Sequence, residues 1–537
     1  MVASIVILPS SFSMMSLLFA TFVFLYHVFL FPTVLAQSDF DWSTIEPTRN
    51  LSWVDCYSGF KCTRFQVPID YSNEDGDKAA LAVMKLSAHS ETEYKGMVLM
   101  NPGGPGASGV VYLASIGSLL TSLIGDQYDI ISFDPRGVGN STPRAEFFLS
   151  KEEHYQWLAD ANHWTSAVNT TSDQIPHLWA SAQVVAELAR ERDNGILNYI
   201  STDNVARDML RITEAAGQSK LQYFGISYGT VIGSTFATMF PDKVERMLLD
   251  GVLDVDGYYS GDWRNQVADA EKDLQSFFDG CVAAGPDACA FYAPTSEEIS
   301  SNLDAIYESL LTEPVPVVIP STSSYGIVDY AALQNAVKNA LSQPYAYFST
   351  LAEGLASLAV GNGSIVYEMQ ATAYDPSSVY NNFWEAEMAI SCSDAMNNTE
   401  SIADLFAYWD SIQGISPFAY SLMTQRISCS GWKFHREDRF TVGGNTSYPI
   451  LFVGNTADPV TPLSSAKKTS SAFPGSVVLT QNSSGHTSLV ASSACAYAYA
   501  QAYFQNGTLP DEGVVCEVET ELFSTSPYTP LRRSFRG

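Results

Sequence analysis

Leu221-Gln222-Tyr223-Phe224-Gly225-Ile226-Ser227-Tyr228-Gly229-Thr230, running on into Val231-Ile232-Gly233-Ser234-Thr235-Phe236-Ala237, is the stretch that decides how this chain reads. A short apolar run, two glycines flanking a serine, and a longer run of helix-compatible residues spell strand, sharp turn and helix. Ser227 sits at the apex. On so tight a turn its backbone angles are strained, and side chains two residues either way would collide with the neighbouring strand and helix. Gly225 and Gly229 remove those collisions, so the hydroxyl projects into open space at a helix N-terminus. The G-x-S-x-G pattern therefore marks a candidate nucleophile. A glycine-rich strand-to-helix turn without chemistry is the bland alternative.

Working back from the elbow, Gly96-Met97-Val98-Leu99-Met100 reads as a buried strand that runs into Asn101-Pro102-Gly103-Gly104-Pro105-Gly106-Ala107-Ser108-Gly109. Acyl transfer needs two backbone N–H groups aimed at the developing oxyanion. One belongs to the residue after the nucleophile, Tyr228, and the other to a loop of this kind. Pro102 and Pro105 have no N–H, which points to Gly104 as the second donor. A phosphate-cradling loop is the rival, but no G-K-[ST] follows and the prolines delete donors. The next strand, 129–133, ends in Asp134-Pro135-Arg136-Gly137, where Asp134 and Arg136 are expected to pair and brace the loop.

Residues 177–192 and 202–216 have helical periodicity, the second with N-cap chemistry at Ser201, Thr202 and Asp203 and a stop at Gly217. A further strand, 244–250, follows the elbow. Strands 65–68 and 81–87 with a polar turn between them open the core as an antiparallel pair. Strands alternating with helices make an α/β fold with a mostly parallel central sheet covered by helices on both faces. From about 257 to 440 the rhythm stops and the pattern is mainly helical, broken by the proline-rich 314–320. The sheet resumes at 448–454 and 476–480. The expected division is 1–36 as a signal peptide, 37–256 as the first part of the core, 257–440 as an inserted helical cap, and 441–537 as the rest of the core.

Bulk properties bound the possibilities. The 537 residues are 46% hydrophobic and 12% aromatic, with a net charge of −30. That is a globular chain, and one that repels the phosphates of nucleic acid. Residues 1–36 are apolar almost throughout, and Val34-Leu35-Ala36 resembles a signal-peptidase site, implying secretion with no membrane attachment after cleavage. The stretch lacks a basic start and is long enough to span a bilayer, so a signal anchor is the alternative. Eight sequons, at Asn50, Asn140, Asn169, Asn362, Asn397, Asn445, Asn482 and Asn506, agree with export. The eight cysteines are even in number and have no metal-ligand spacing, which favours disulfides. Sequential pairing joins Cys56 with Cys62, Cys281 with Cys289 and Cys495 with Cys516, leaving Cys392 and Cys429.

A serine nucleophile needs a base, and the base an orienting carboxylate. Of the seven histidines only His435 and His486 follow Ser227. His486 lies in Asn482-Ser483-Ser484-Gly485-His486-Thr487, just past a strand, whereas His435 lies in a charged run and reads as a surface residue. Asp458 tops the preceding strand in Ala457-Asp458-Pro459-Val460-Thr461-Pro462. Asp250, which ends another strand, is the rival acid. Ser227, Asp458 and His486 thus fall at strand ends in the chain order Ser, Asp, His.

The stretches 101–109, 134–141, 225–230, 250–252 and 458–462, with Phe240-Pro241, resemble secreted α/β-hydrolases of the tripeptidyl/prolyl aminopeptidase group. So do Ala389-Ile390-Ser391-Cys392-Ser393-Asp394 and the segment 429–432, whose cysteines the resemblance pairs. The region from about 440 to 516 resembles that group's C-terminal module. The resemblance spans about 56–516 and is thin across the cap, particularly 283–379. It implies Ser227, Asp458 and His486 as the triad and Gly104 and Tyr228 as oxyanion donors. One departure is Asn101-Pro102, where many relatives carry His.

The implied chemistry is an acyl-enzyme mechanism needing no metal or cofactor, with a peptide or ester as partner. An exopeptidase acting on free N-termini must also bind an ammonium, for which Glu385, Glu387 and Asp394 in the cap are the candidates. The alternatives are a secreted carboxylesterase or lipase-like hydrolase and, more distantly, a non-catalytic binding ectodomain, which a broken triad would favour.

Overall fold

The computed structural model describes residues 40–89, 93–161, 173–370, 380–396, 400–435 and 440–524. The expected signal peptide and the sequons Asn169 and Asn397 lie outside them. A ten-stranded sheet forms the frame, in the order β1-β2-β3-β5-β4-β6-β7-β10-β11-β12. Its first members, β1 (Val54–Cys56), β2 (Phe60–Pro68) and β3 (Lys78–Leu86), are antiparallel, and β3 meets β5 (Asp129–Phe133) antiparallel as well. From there β4 (Met97–Asn101), β6 (Leu221–Ile226), β7 (Val244–Asp250), β10 (Leu451–Ala457), β11 (Val477–Ser484) and β12 (Val515–Glu517) run parallel. This is the α/β-hydrolase fold.

The central strands explain themselves. Every residue of β4 and β6 is buried, as expected for parallel strands covered on both faces. Alternation sorts neighbours to opposite sides. Leu81 and Val83 join the core on one face, Ala82 and Met84 the core on the other. The elbow helix Tyr228–Met239 is buried along almost its whole length, so it has no solvent face to pattern.

Between β7 and β10 stands the cap. Its helices include Ala270–Ala284, Ser296–Leu310, Tyr330–Ser342, Pro344–Leu358, Phe383–Asp394, Ile402–Ile412 and Tyr420–Cys429. Their apolar faces share one continuous core with the near face of the sheet. The proline-rich break is more than a break: β8 (Val315–Ile319) pairs antiparallel with β9 (Ser324–Val328). Valine and isoleucine supply the strand preference, and Pro316 is tolerated because each strand of a two-stranded ribbon has a free edge.

Four disulfides join Cys56 to Cys62, Cys281 to Cys289, Cys392 to Cys429 and Cys495 to Cys516. Phe523, beyond β12, returns to the cap and packs against Phe277 and Phe348 at ring separations of 5.5 and 5.8 Å. Among the described residues no helix is long and apolar enough to cross a membrane. The sequons at Asn50, Asn362, Asn445, Asn482 and Asn506 are exposed or partly so, while Asn140 is half-buried with its amide donating to Asp134.

The expected Asp134–Arg136 pair does not form. Arg136 instead makes a buried two-pronged bond to Asp208, at 2.8 and 2.7 Å. Asp134 accepts from Ser108 Oγ and from the N–H groups of Val110 and Asn140. Proximity in sequence misled here. A guanidinium with no water around it needs a carboxylate in fork geometry, and Asp208 on helix Thr202–Ala215 offers one.

Candidate active site

At the end of β6 the chain turns through Ser227 with φ 55° and ψ −125°, in the left-handed half of backbone space where a side chain is strained. The glycines play the part expected of them. A Cβ on Gly225 would press on Tyr223 and the Gly229 carbonyl, and one on Gly229 on the Asn101 carbonyl of β4. Ser227 N–H donates to the Asp250 carbonyl at 2.9 Å, which pins the turn to β7.

His486 follows β11, two residues past its end, and its Nε2 lies 2.9 Å from Ser227 Oγ. Its Nδ1 is 3.1 and 3.0 Å from the two Asp458 oxygens. Asp458 follows directly on β10, is wholly buried, and accepts further bonds from the N–H groups of Val460, Thr461 and Thr487 and from Thr461 Oγ1. Burial works against its charge, but His486 and these donors outweigh it and hold the carboxyl below the usual range. Burial likewise opposes the charged imidazole, yet the Asp458 carboxylate prevails and raises His486 above its ordinary value of 6.5.

The structure thus brings the three side chains together. It puts Asp250 elsewhere: its carboxylate receives Ser488 N–H and Oγ at 2.9 and 2.7 Å, and burial pushes it up to about 6. His435 is half-buried, with Nδ1 3.3 Å from the Trp432 carbonyl. Thr461 adds a hydroxyl that the triad pattern does not announce. An Asp whose side chain caps the N–H groups two and three residues on is Asx-turn chemistry, and Asp458-Pro459-Val460-Thr461 carries that signature.

Gly103 and Gly104 lie beside the elbow with φ of 100° and 105°. A Cβ on Gly103 would reach within 2.8 Å of Ser227 Cβ and 2.9 Å of Tyr228 N. Asn101 Oδ1 takes the Gly103 N–H at 2.9 Å. The cap closes over this loop: Phe383 packs on Gly104, and its carbonyl and the Glu387 N–H crowd Gly106.

Of the three cap acids, two face the core. Glu385 accepts from Phe147 N–H at 2.6 Å, from Phe148 N–H and from Tyr380. Asp394 accepts from Thr202 N–H at 2.8 Å, Thr202 Oγ1 and Tyr258, so a distant carboxylate caps the helix for which Ser201, Thr202 and Asp203 offer local N-cap chemistry. The Ser201 side chain bonds Asp203 instead. Glu387 alone has a carboxylate without a hydrogen bond among the described residues, and burial pushes it up to about 7. The cap also grips the histidine loop from behind. Ser342 carbonyl accepts from His486 N–H at 2.9 Å, and a Cβ on Gly485 would overlap Pro344.

Residues 416–516 match the family described as TAP-like protein. Over 87% of its length, and 91% of theirs, the chain is 28% identical to the serine protease Hip1 of Mycobacterium tuberculosis. It is 27% identical to the tripeptidyl aminopeptidase of Streptomyces lividans, over 81% of this chain and 80% of that one. Carboxylesterase B of Mycobacterium tuberculosis is also 27% identical, over 85% and 86%. The chain is thus similar over most of its length to proteins named as a serine protease, a tripeptidyl aminopeptidase and a carboxylesterase.

Proposed function

We propose that this chain is a secreted serine hydrolase that releases single residues or short peptides from free N-termini. The observation that carries the reading is the unbroken run Asp458–His486–Ser227, with 3.0 and 2.9 Å links. In the resting state Nδ1–H donates to Asp458 and Nε2 accepts from the Ser227 hydroxyl. Ser227 attacks the carbonyl carbon as His486 takes its proton; the oxyanion is held by the N–H groups of Tyr228 and Gly104. His486 then protonates the leaving amine, and water, deprotonated by the same imidazole, hydrolyses the acyl-enzyme.

The exopeptidase part rests on Glu387, whose backbone N–H abuts Gly106 of the glycine loop and whose carboxylate, without a hydrogen bond among the described residues, suits a substrate ammonium. Relatives named as a serine protease and a tripeptidyl aminopeptidase support a peptide substrate. Secretion is supported by the four disulfides. A second reading is carboxylester hydrolysis, favoured by the equally similar carboxylesterase B.

Purified protein treated with a fluorophosphonate should be labelled at Ser227. Untreated protein should cleave unblocked aminoacyl or tripeptidyl anilides much faster than their N-acetylated forms. Hydrolysis of p-nitrophenyl esters alone would favour the esterase. No label and no turnover would leave a binding ectodomain.

A further inference from the structure

The cap helix Phe383–Asp394 meets the catalytic loops at both of its ends. At its start the Phe383 ring would stand 3.5 Å from a Cβ on Gly104, and the Phe383 carbonyl and Glu387 N–H 2.6 and 2.9 Å from one on Gly106. At its finish Asp394 reaches Tyr228, the residue directly after the nucleophile, through a single intermediary. Thr202 Oγ1 lies 2.5 Å from Asp394 Oδ2 and shares a short hydrogen bond with the Tyr228 hydroxyl.

Counting protons fixes the direction of this run. At neutral pH Asp394, raised only to about 6, is ionised and can only accept. The one proton on Thr202 Oγ1 therefore goes to Asp394, and the Tyr228 hydroxyl donates to Thr202. Asp394 also accepts from Thr202 N–H at 2.8 Å and from the Tyr258 hydroxyl at 2.9 Å. All four residues are buried, Thr202 and Asp394 without any exposure. With no water to take its place, Thr202 is what satisfies the Tyr228 hydroxyl, so the ring is held in one position. The Tyr258 ring packs on it at a centroid separation of 5.8 Å.

The Asp394 end of the helix is itself tied down. Cys392 is bonded to Cys429, Ser393 Oγ accepts from Trp432 Nε1 at 2.9 Å, and Met396 N–H donates to the Tyr259 carbonyl at 3.0 Å. Tyr228 is thus moored to a fixed point of the cap, although its own backbone belongs to the elbow helix of the core.

We propose that Asp394, acting through Thr202, is a positioning residue for the oxyanion site. It fixes the Tyr228 ring and with it the Tyr228 N–H, while the opposite end of the same cap helix holds the loop that carries Gly104. One helix then sets the spacing of both donors, and a cap displaced from the core loses the oxyanion site while the triad stays whole. This inference rests on the hydrolase reading above and on its assignment of those two N–H groups. Donors aimed at a developing charge act on the transition state more than on bound substrate, so their misalignment is read in kcat.

Thr202→Val keeps the shape and the backbone N–H but deletes the shared hydroxyl, Thr202→Ser restores it, and Tyr228→Phe removes the other end of the bond. The full-length variants are compared, well below their melting temperatures, on an unblocked peptidyl anilide and a p-nitrophenyl ester, and against a peptidyl trifluoromethyl ketone. Ser227 Oγ adds to the ketone carbon, its proton passes to His486, and the hemiketal oxygen takes the negative charge that the two N–H groups receive. Thr202→Val and Tyr228→Phe should each lower kcat about tenfold with KM little changed, and weaken the ketone by the same factor. The pH midpoint set by His486 should stay in place. The double variant should lose no more than either single one, and Thr202→Ser should recover most of the rate. A network that serves the fold alone would lower the melting temperature and leave kcat and ketone affinity unchanged, which overturns the inference. So does a loss confined to KM, or a shifted pH midpoint, which would place the effect at the histidine. A wild type that cleaves neither substrate and forms no ketone adduct sinks the hydrolase reading and this inference with it. An active wild type with indifferent variants sinks the inference alone.

Discussion

The sheet edge and the cap make their halves of the site by different means. On the sheet side, three residues follow closely on strands β6, β10 and β11, and backbone N–H groups hold Asp458. Their positions are set by strand register, so little is left to side-chain choice. On the cap side, acids sit on one helix within a single stretch of ten residues, yet they do unlike things: Glu385 and Asp394 tie the cap to the core, and Glu387 has no hydrogen bond among the described residues. A carboxylate on a strand end is placed by topology; one on a cap helix is placed by whichever N–H happens to be unsatisfied nearby.

The comparison breaks most sharply within the core itself. Asp458→Asn should lower kcat by about 10⁴, since the imidazole loses its tautomer and its stabiliser. Asp250→Asn, at the end of the neighbouring strand, should cost about tenfold through Ser488 and the histidine loop; equal losses in ester turnover would dissolve the distinction. On the cap, Glu387→Gln should raise KM for unblocked peptides by about 10- to 100-fold relative to blocked ones. Glu385→Gln and Asp394→Asn should instead lower the melting temperature, and a KM effect matching that of Glu387 would erase the contrast.

The seam offers a milder probe. Gly485→Ala must adopt φ near +92° and meets Pro344, so the His486 loop shifts, and kcat should fall about tenfold with KM little altered. Protonation gives two smaller readouts. His486 must be neutral to act as base and its folded value is raised, so kcat/KM should fall with falling pH around a midpoint above 6.5; Asp458→Asn should move that midpoint lower in what activity remains. Asp250 and Asp394 are raised from 3.8 to about 6. Each binds its proton more tightly folded than unfolded, so the stability it contributes is present in acid and lost as pH rises from about 4 to about 6. Calorimetry should show a melting temperature a few degrees higher at pH 5 than at pH 7, with a flatter profile in Asp394→Asn.

Much of this architecture is legible in residues close together in the chain. Strand, turn and helix around Ser227 follow from a local pattern, and the order of Ser, Asp and His is fixed by the topology that such an elbow belongs to. What a linear pattern hides is the choice of partner across distance. Arg136 passes over Asp134 for Asp208, Thr202 takes its cap from Asp394 far downstream, and Pro316 sits in a strand because a ribbon leaves it an edge. Acids, amides and guanidines pair with whatever the packing brings, and a one-dimensional pattern carries no such information.

Phe523 bears on how the protein comes to be active at all. Its ring completes a cluster with Phe277 and Phe348, yet it leaves the ribosome long after both. Until then two cap helices present bare aromatic surface, and the turn that steadies His486 follows one and precedes the other. Enzymatic competence should accordingly arrive late and abruptly in biosynthesis, and nascent chains that stop short of this phenylalanine should be sticky and inert even though every reacting group has already been made.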